Sequence, residues 1–228
     1  LAPHLIDCRL ADDHPYPEYH HLWEGIFNLG FCAVRRTKAT DRLLNWWDAR
    51  LREYCYADHV DGLHTDQKWM DYAPVFFHDE LRIVRHYGVN TAHWNLSERP
   101  LSLRDGQYHT NTQPLIFFHF SGFDFCGETL TKHVPVERQA SYTTDTLRML
   151  AAEYRAAVKA NGYECLLAVP YAFATFSDGT PITQLHRRLY RVKSRDAAIP
   201  SPFSSDGPFF HMLSEAGLLD RSPAAKAN

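Results

Sequence analysis

The chain has 228 residues, 45% of them hydrophobic and 14% aromatic, with a formal net charge of -3 and a pI near 6.5. That length carries one globular domain with a smaller appendage, and so balanced a charge offers no field to attract nucleic acid or an anionic membrane. The five cysteines are widely spaced and form no C-x-x-C, which argues against a disulfide scaffold or zinc knuckle and reads as buried free thiols in a reducing cytoplasm.

Apolar runs such as PLIFF and CLLAVPYAFATF are too short or too interrupted to span a bilayer, so no integral membrane segment is expected. No stretch has the make-up of a signal peptide. The chain opens on Leu1 in an already apolar LAPHLIDCRL, as the later part of a longer polypeptide would.

In chain order, ADDHPYPEY (11–19) reads as a proline-broken loop. GIFNLGFCAV (25–34) reads as a buried strand with Gly25 and Gly30 as points of close approach. A helix is expected from about Thr40, its cap, to Tyr54, with Leu43, Leu44, Trp47, Leu51 and Tyr54 on the apolar face and Trp46 toward the flank. Thr65 or Asp66 caps a short helix that stops before Pro74. LRIV (81–84) is a strand, and GQYHT and PLIFFHF form a hairpin around NTQ. A second long helix runs from about Tyr142 to Ala160 and stops at Asn161-Gly162. Beyond it, FSDGTPI and PSPFSSDGP mark turns, a hairpin with a basic flank (Arg187, Arg188, Arg191) is expected, and RSPAAKAN reads as a disordered tail. Helices alternate with strands, so the class is α/β. A boundary near Val134–Arg138 divides residues 1–136 from a small α+β extension over 137–228.

No phosphate-binding G-x-x-x-x-G-K-[ST], dinucleotide G-x-G-x-x-G, nucleophile-elbow G-x-S-x-G or zinc H-E-x-x-H motif is present, and no D-x-D. What stands out instead is a set of polar residues inside apolar surroundings. Asn28 lies within IFNLGF, where an amide is costly unless its bonds are met. It is either a core amide bonded to backbone or a ligand contact, with Gly30 leaving space beside it. Asp66 and Gln67 open a helix, as a cap or as groups pointing into a cleft at the edge of a sheet. His119 ends the apolar PLIFFHF just before Ser121 and Gly122. It is either a satisfied core histidine or a group reaching a bound phosphate or metal. His93, Trp94 and Asn95 suit a sugar, stacked on the indole and bonded by amides, or else a packed loop. The remaining histidines, His20-His21 and His186 among them, show no ligand spacing. A histidine-based metal hydrolase is therefore not expected.

Taken in order, GIFNLGFCAV, the Trp-Trp helix, DQKWMD, NTAHWN and FFHFSGFD resemble the later part of a bacterial glycosyltransferase of the GT-A fold, similar to glycosyltransferase family 8. The likeness covers about residues 1–135. It implies a mixed sheet with flanking helices, a nucleotide-diphospho-sugar donor, a glycan or lipid-linked acceptor, and Mn²⁺ or Mg²⁺ as cofactor. It further implies a role in cell-surface polysaccharide biosynthesis, in the cytoplasm or at the inner face of the membrane.

Carried over residue by residue, Asn28 would contact sugar or acceptor, Asp66 would bond sugar hydroxyls, and Gln67 would lie beside the anomeric carbon. His119 would hold the metal or the diphosphate it clamps, Gly122 would bring the backbone close, and Lys132 would reach the diphosphate. The run around Lys132 departs from the family's pattern, and the missing D-x-D belongs to the earlier half of such domains. This stretch alone is then expected to turn over little. A carbohydrate-binding accessory module without catalysis is the alternative.

Overall fold

The computed structural model describes residues 1–8, 14–127, 129–195 and 198–219. The expected tail 221–228 and the first loop's ADD (11–13) lie outside the described residues. The architecture is mixed α and β. Among the described residues the strands form three small antiparallel sheets. The chain divides into two compact units, Leu1–Val158 and Lys159–Asn228.

In the first unit, β1 (Ala2–Pro3) pairs with β2 (Phe27–Asn28), and α1 (His20–Glu24) lies between them in sequence. The expected ten-residue strand over 25–34 is thus only two residues long. The Asn28 side chain ends it: Oδ1 accepts the Gly30 N–H at 2.9 Å, closing a local turn that competes with ladder pairing. Beyond Gly30 the chain runs exposed, with Val34 at 52%.

Helix α2 (Lys38–Tyr54) starts earlier than expected, because Thr37, not Thr40, accepts the first-turn N–H, from Thr40 at 3.2 Å. Leu43, Trp46 and Trp47 pack on Leu1, Phe27, Met70 and Ala73, while Leu44 is exposed. The inward face therefore follows i, i+3, i+4 from Leu43, with Trp46 in and Leu44 out.

After β3 (Ala57–Asp58) and β4 (Leu63–His64), a 3-10 turn over Lys68–Tyr72 leads into α3 (Ala73–Phe76). Neither Thr65 nor Asp66 caps it. Pro74 does not stop it either, since it sits in the first turn of α3, where a missing N–H costs nothing. LRIV is held beside Leu1 by two backbone bonds (Leu1 N to Arg82 O, 2.9 Å; Val84 N to Leu1 O, 2.8 Å) without forming a strand.

The main hairpin joins β5 (Leu101–Arg104) to β6 (Gln107–Thr110) through Asp105-Gly106, both at positive φ, the Asp-Gly turn that matches strand twist. The hairpin expected across NTQ is two pairs long, β6 with β7 (Gln113–Pro114). Pro114 cannot donate to a ladder, and the chain leaves the sheet there. PLIFFHF instead runs beside Gly88–Thr91: Ile116 N donates to Gly88 O at 2.8 Å and His119 N to Thr91 O at 2.7 Å. Ile116 is 60% exposed, so this run is no core strand. After α4 (Val136–Gln139), helix α5 (Asp145–Ala160) seals this side, with Leu147, Ala151 and Tyr154 against Leu96, Phe123 and Leu130. Phe120 and Tyr154 stack at 3.9 Å. Gly162, at φ 90°, ends the helix as expected.

The second unit packs Phe176, Phe209 and Leu213 with Ile182, Leu189 and Tyr190. A tight turn bridges Thr175 and Pro181. The expected basic hairpin flank is instead a helix, α7 (Gln184–Lys193), which follows α6 (Tyr163–Leu167) and precedes α8 (Pro208–Glu215). Thr183 caps α7 through a reciprocal pair with His186. All five cysteines are free and exposed rather than buried. No helix among the described residues is long and apolar enough to cross a membrane.

Candidate functional site

Asn28 ends β2 with its side chain 6% exposed, and every polar atom of its amide is used. Nδ2 donates to Gln67 Oε1 and to His4 Nε2, each at 3.2 Å. Oδ1 accepts from Gly30 N, from Asn90 Nδ2 at 3.0 Å and from His119 Nδ1 at 3.0 Å. Three segments singled out in the sequence thus meet on one amide. Gln67 closes the far side: Oε1 also accepts the Leu29 N–H at 3.0 Å, and Nε2 donates to Glu24 O at 3.0 Å. One Gln67 N–H remains uncommitted by these bonds.

The tautomer of His119 follows from its partners. Nδ1 faces two amide oxygens, Asn28 Oδ1 and Asn90 Oδ1 (3.1 Å), so it carries the proton and donates. Burial, with His133 nearby, lowers the pKa of the ring and keeps it neutral at pH 7. The lone pair therefore sits on Nε2, which has no hydrogen-bond partner among the described residues. Gly30 is the price of this placement: a Cβ there would lie 2.2 Å from His119 Nδ1. What Gly30 lets in is the His119 ring itself.

The loop carrying His93, Trp94 and Asn95 is interior. Asn95 is fully buried and bonded by both ends, Oδ1 to Ala92 N (2.8 Å) and Nδ2 to His4 O and Asn90 O (3.0 Å each). Arg99, also fully buried, donates to Val89 O at 2.8 Å and pairs with Glu98 at 2.9 Å, while Glu98 accepts the backbone N–H groups of Ile6 and Asp7. Asn95 and Arg99 therefore fix this loop to residues 4–7 and hold Asn90 in its left-handed backbone conformation (φ 60°). Trp94 is 4% exposed, its ring edge-on to His4 and His119. His93 is 2% exposed. Burial, and then His133, depress its pKa to about 3, and its Nε2 is buried without a bond.

Past His119, Ser121 Oγ meets His133 Nε2 at 3.1 Å, and Gly122 turns at φ 61°, where a Cβ would press on the His133 ring. The backbone of Lys132 donates to Gly122 O at 2.8 Å while its side chain lies exposed. Asp66 stands apart from the network. Its carboxylate accepts from Thr65 Oγ1 at 3.0 Å and its carbonyl accepts the Trp47 indole N–H at 3.0 Å.

Sequence reasoning missed His4, Asn90, Arg99 and the α1 pair His21 and Glu24. His4 and His21 stack at 4.4 Å, His21 Nδ1 lies 3.5 Å from Glu24 Oε2, and the Tyr16 hydroxyl donates to Glu24 Oε1. Burial opposes ionisation of Glu24, but the His21 ring beside it and the bond from Tyr16 outweigh it and keep the carboxyl below its ordinary value. His4 is pushed down to about 3 by burial, and then by His21. The available signal was H-x-x-E, which puts both side chains on one face of a helix.

A separate cavity of about 770 Å³ opens beside the start of α2, lined by Cys32, Arg35, Thr37, Lys38, Leu81 and Arg82 among others. None of the candidate site residues named from the sequence lines it.

Two uncharacterized bacterial proteins are similar to the chain. It is 28% identical over 177 residues to the uncharacterized protein YfnD of Bacillus subtilis (strain 168), covering 75% of this chain and 54% of that one. It is 35% identical over 100 residues to the uncharacterized protein YfnF of the same strain, covering 43% of this chain and 33% of that one. The chain thus spans about half of one relative and a third of the other. No family model and no solved structure matches it.

Proposed function

We propose that this chain is part of a metal-dependent glycosyltransferase of the GT-A type, acting on a nucleotide-diphospho-sugar and a glycan or lipid-linked acceptor. The observation that supports it most is the convergence of Asn28, Gln67 and His119, 39 and 91 residues apart in sequence, on a single amide. Those are the segments on which the family resemblance rests.

The geometry also favours one of two roles for His119. A neutral imidazole with its proton committed at Nδ1 has nothing to donate to a phosphate. Its Nε2 lone pair suits a cation. Mn²⁺ or Mg²⁺ prefers oxygen ligands, so His119 would supply one nitrogen and the donor diphosphate several oxygens. A bound cation would offset the charge that develops on the departing nucleoside diphosphate.

The chain's own residues do the positioning. Asn28 and Asn90 hold the ring tautomer, Gln67 fixes the Asn28 amide and keeps one N–H for a ligand, and Gly122 turns the chain three residues after His119, against His133. Asp66, clear of the network, keeps its carboxylate for a sugar hydroxyl. Lys132, exposed, is free to meet phosphate. The accessory-module reading gets no support from the His93–Asn95 loop, because a free glycan stacks on an open aromatic face and Trp94 is buried.

Calorimetry with a panel of nucleoside diphosphates and Mn²⁺ tests this. Mn²⁺-dependent nucleotide binding is expected, weakened at least tenfold in His119→Ala. Binding of free glycan with no response to any nucleotide and Mn²⁺ would overturn it in favour of the accessory module.

A further inference from the structure

We infer that His4, His21 and Glu24 form a second metal site, one that takes a single divalent ion of the zinc type. One ligating atom from each of the three lies within 4.8 Å of the others. His21 and Glu24 are i, i+3 on α1 and share a face.

The observation that points to a ligand is His21 itself. It is 6% exposed, and both ring nitrogens are buried without a hydrogen bond: Nδ1 lies at ion-pair distance, 3.5 Å, from Glu24 Oε2, and Nε2 has no polar partner among the described residues. A buried imidazole left unbonded is costly, and a metal ion removes that cost.

The other two groups are prepared as ligands. His4 Nδ1 faces the Ile26 carbonyl at 3.3 Å and so carries the proton, leaving the lone pair on Nε2. A backbone carbonyl fixing the tautomer of a metal-bound histidine is a recurrent arrangement. The Tyr16 hydroxyl occupies Glu24 Oε1 and leaves Oε2 turned to His21. Two imidazoles and one carboxylate match zinc, with a fourth position open, and are poor in oxygen for Mg²⁺ or Ca²⁺.

Ligation has a defined structural consequence. Ligands about 2.1 Å from a tetrahedral ion stand about 3.4 Å apart, so His21 and Glu24, already 3.5 Å apart, barely move, and His4 closes most of the remaining distance. His4 Nε2 gives up its 3.2 Å bond from Asn28, which keeps its bond to Gln67. The ion would then tie β1 to α1 and brace the floor of the Asn28 network. This inference does not depend on glycosyl transfer and uses none of the residues assigned to that reaction.

The test starts from the whole chain stripped with a chelator and titrated with Zn²⁺, then with Co²⁺ for its visible absorption. One equivalent is expected to bind, and Glu24→Gln and His21→Gln are each expected to weaken it about 100-fold or more. X-ray absorption on the wild-type zinc protein, which needs no variant to fold, should report two imidazole nitrogens and no sulfur. No uptake by the wild type overturns the site, as do unchanged affinity in both variants, sulfur in the coordination shell from the exposed cysteines, or loss of the ion in His119→Ala with retention in Glu24→Gln.

Discussion

His186 and His119 are both histidines packed among aromatic side chains, one in each unit, and they are held differently. His186, 1% exposed, accepts the Thr183 N–H at Nδ1 (3.2 Å) and donates from Nε2 to Leu218 O (3.0 Å). Both nitrogens are spent on closing the ends of helices, and nothing is left for a ligand. His119 spends one nitrogen on the Asn28 and Asn90 amides and keeps the other. The first unit thus has a polar interior held by amides, with imidazole nitrogens to spare at His119, His93 and His21. The second has an apolar cluster with one fully satisfied histidine. A buried histidine says little about function until its second nitrogen is accounted for.

The largest way to break the contrast is Asn28→Leu. It removes the common partner of Gln67, Asn90, His4 and His119 and strands several buried donors and acceptors at about 1–3 kcal/mol each. A loss on the order of 5 kcal/mol is expected, comparable with the whole stability of a modest domain. Urea unfolding measures it. A loss under about 1 kcal/mol would mean that water replaces the network and that it holds nothing in place.

Acidification should act on the first unit by a different route. His4 and His93 are both depressed to about 3 by burial. His4 faces His21 and Glu24, while His93 faces His133, Glu24, His119 and His14. Below pH 6.5 the unfolded chain takes up protons that the folded chain refuses. Their contribution is therefore intact at neutral pH and declines as pH falls from about 6.5 toward 3. Each histidine adds a slope of up to about 1.4 kcal/mol per pH unit. Most carboxylates are still ionised between pH 6.5 and 5, so unfolding midpoints across that window isolate the histidines. A flat profile there would show that the cluster is protonated without cost.

Which parts of this were legible in the sequence follows from the range of the forces involved. Helices α2 and α5 could be read because their apolar faces repeat every three to four residues, and the Gly162 stop is a local steric fact. The strand at GQYHT could be read too, as β6, but the other strand ends could not, because they are decided by side chains and not by hydropathy. Asn28 closes its own turn, and Pro114 breaks a ladder inside an otherwise ideal apolar run. At the site, polar residues in apolar company pointed to Asn28, Gln67 and His119, since such residues must find partners. Their partners were invisible, because Asn28 meets Asn90 across 62 residues and Asn95 meets His4 across 91. His93, Trp94 and Asn95 were noticed for the right composition, but their burial depends on Arg99 and Glu98 pinning that loop to the chain's first residues.

A smaller effect, on the other unit, sharpens the comparison. His186→Phe keeps the ring packing on Phe176 and removes both hydrogen bonds, freeing the Thr183 N–H and the Leu218 carbonyl near the ends of helices where water can reach them. A loss of about 1–2 kcal/mol is expected. Urea unfolding of the wild type beside His186→Phe measures it. A loss under about 0.5 kcal/mol would mean that water replaces both bonds, and the distinction between spent and spare nitrogens would lose its physical basis.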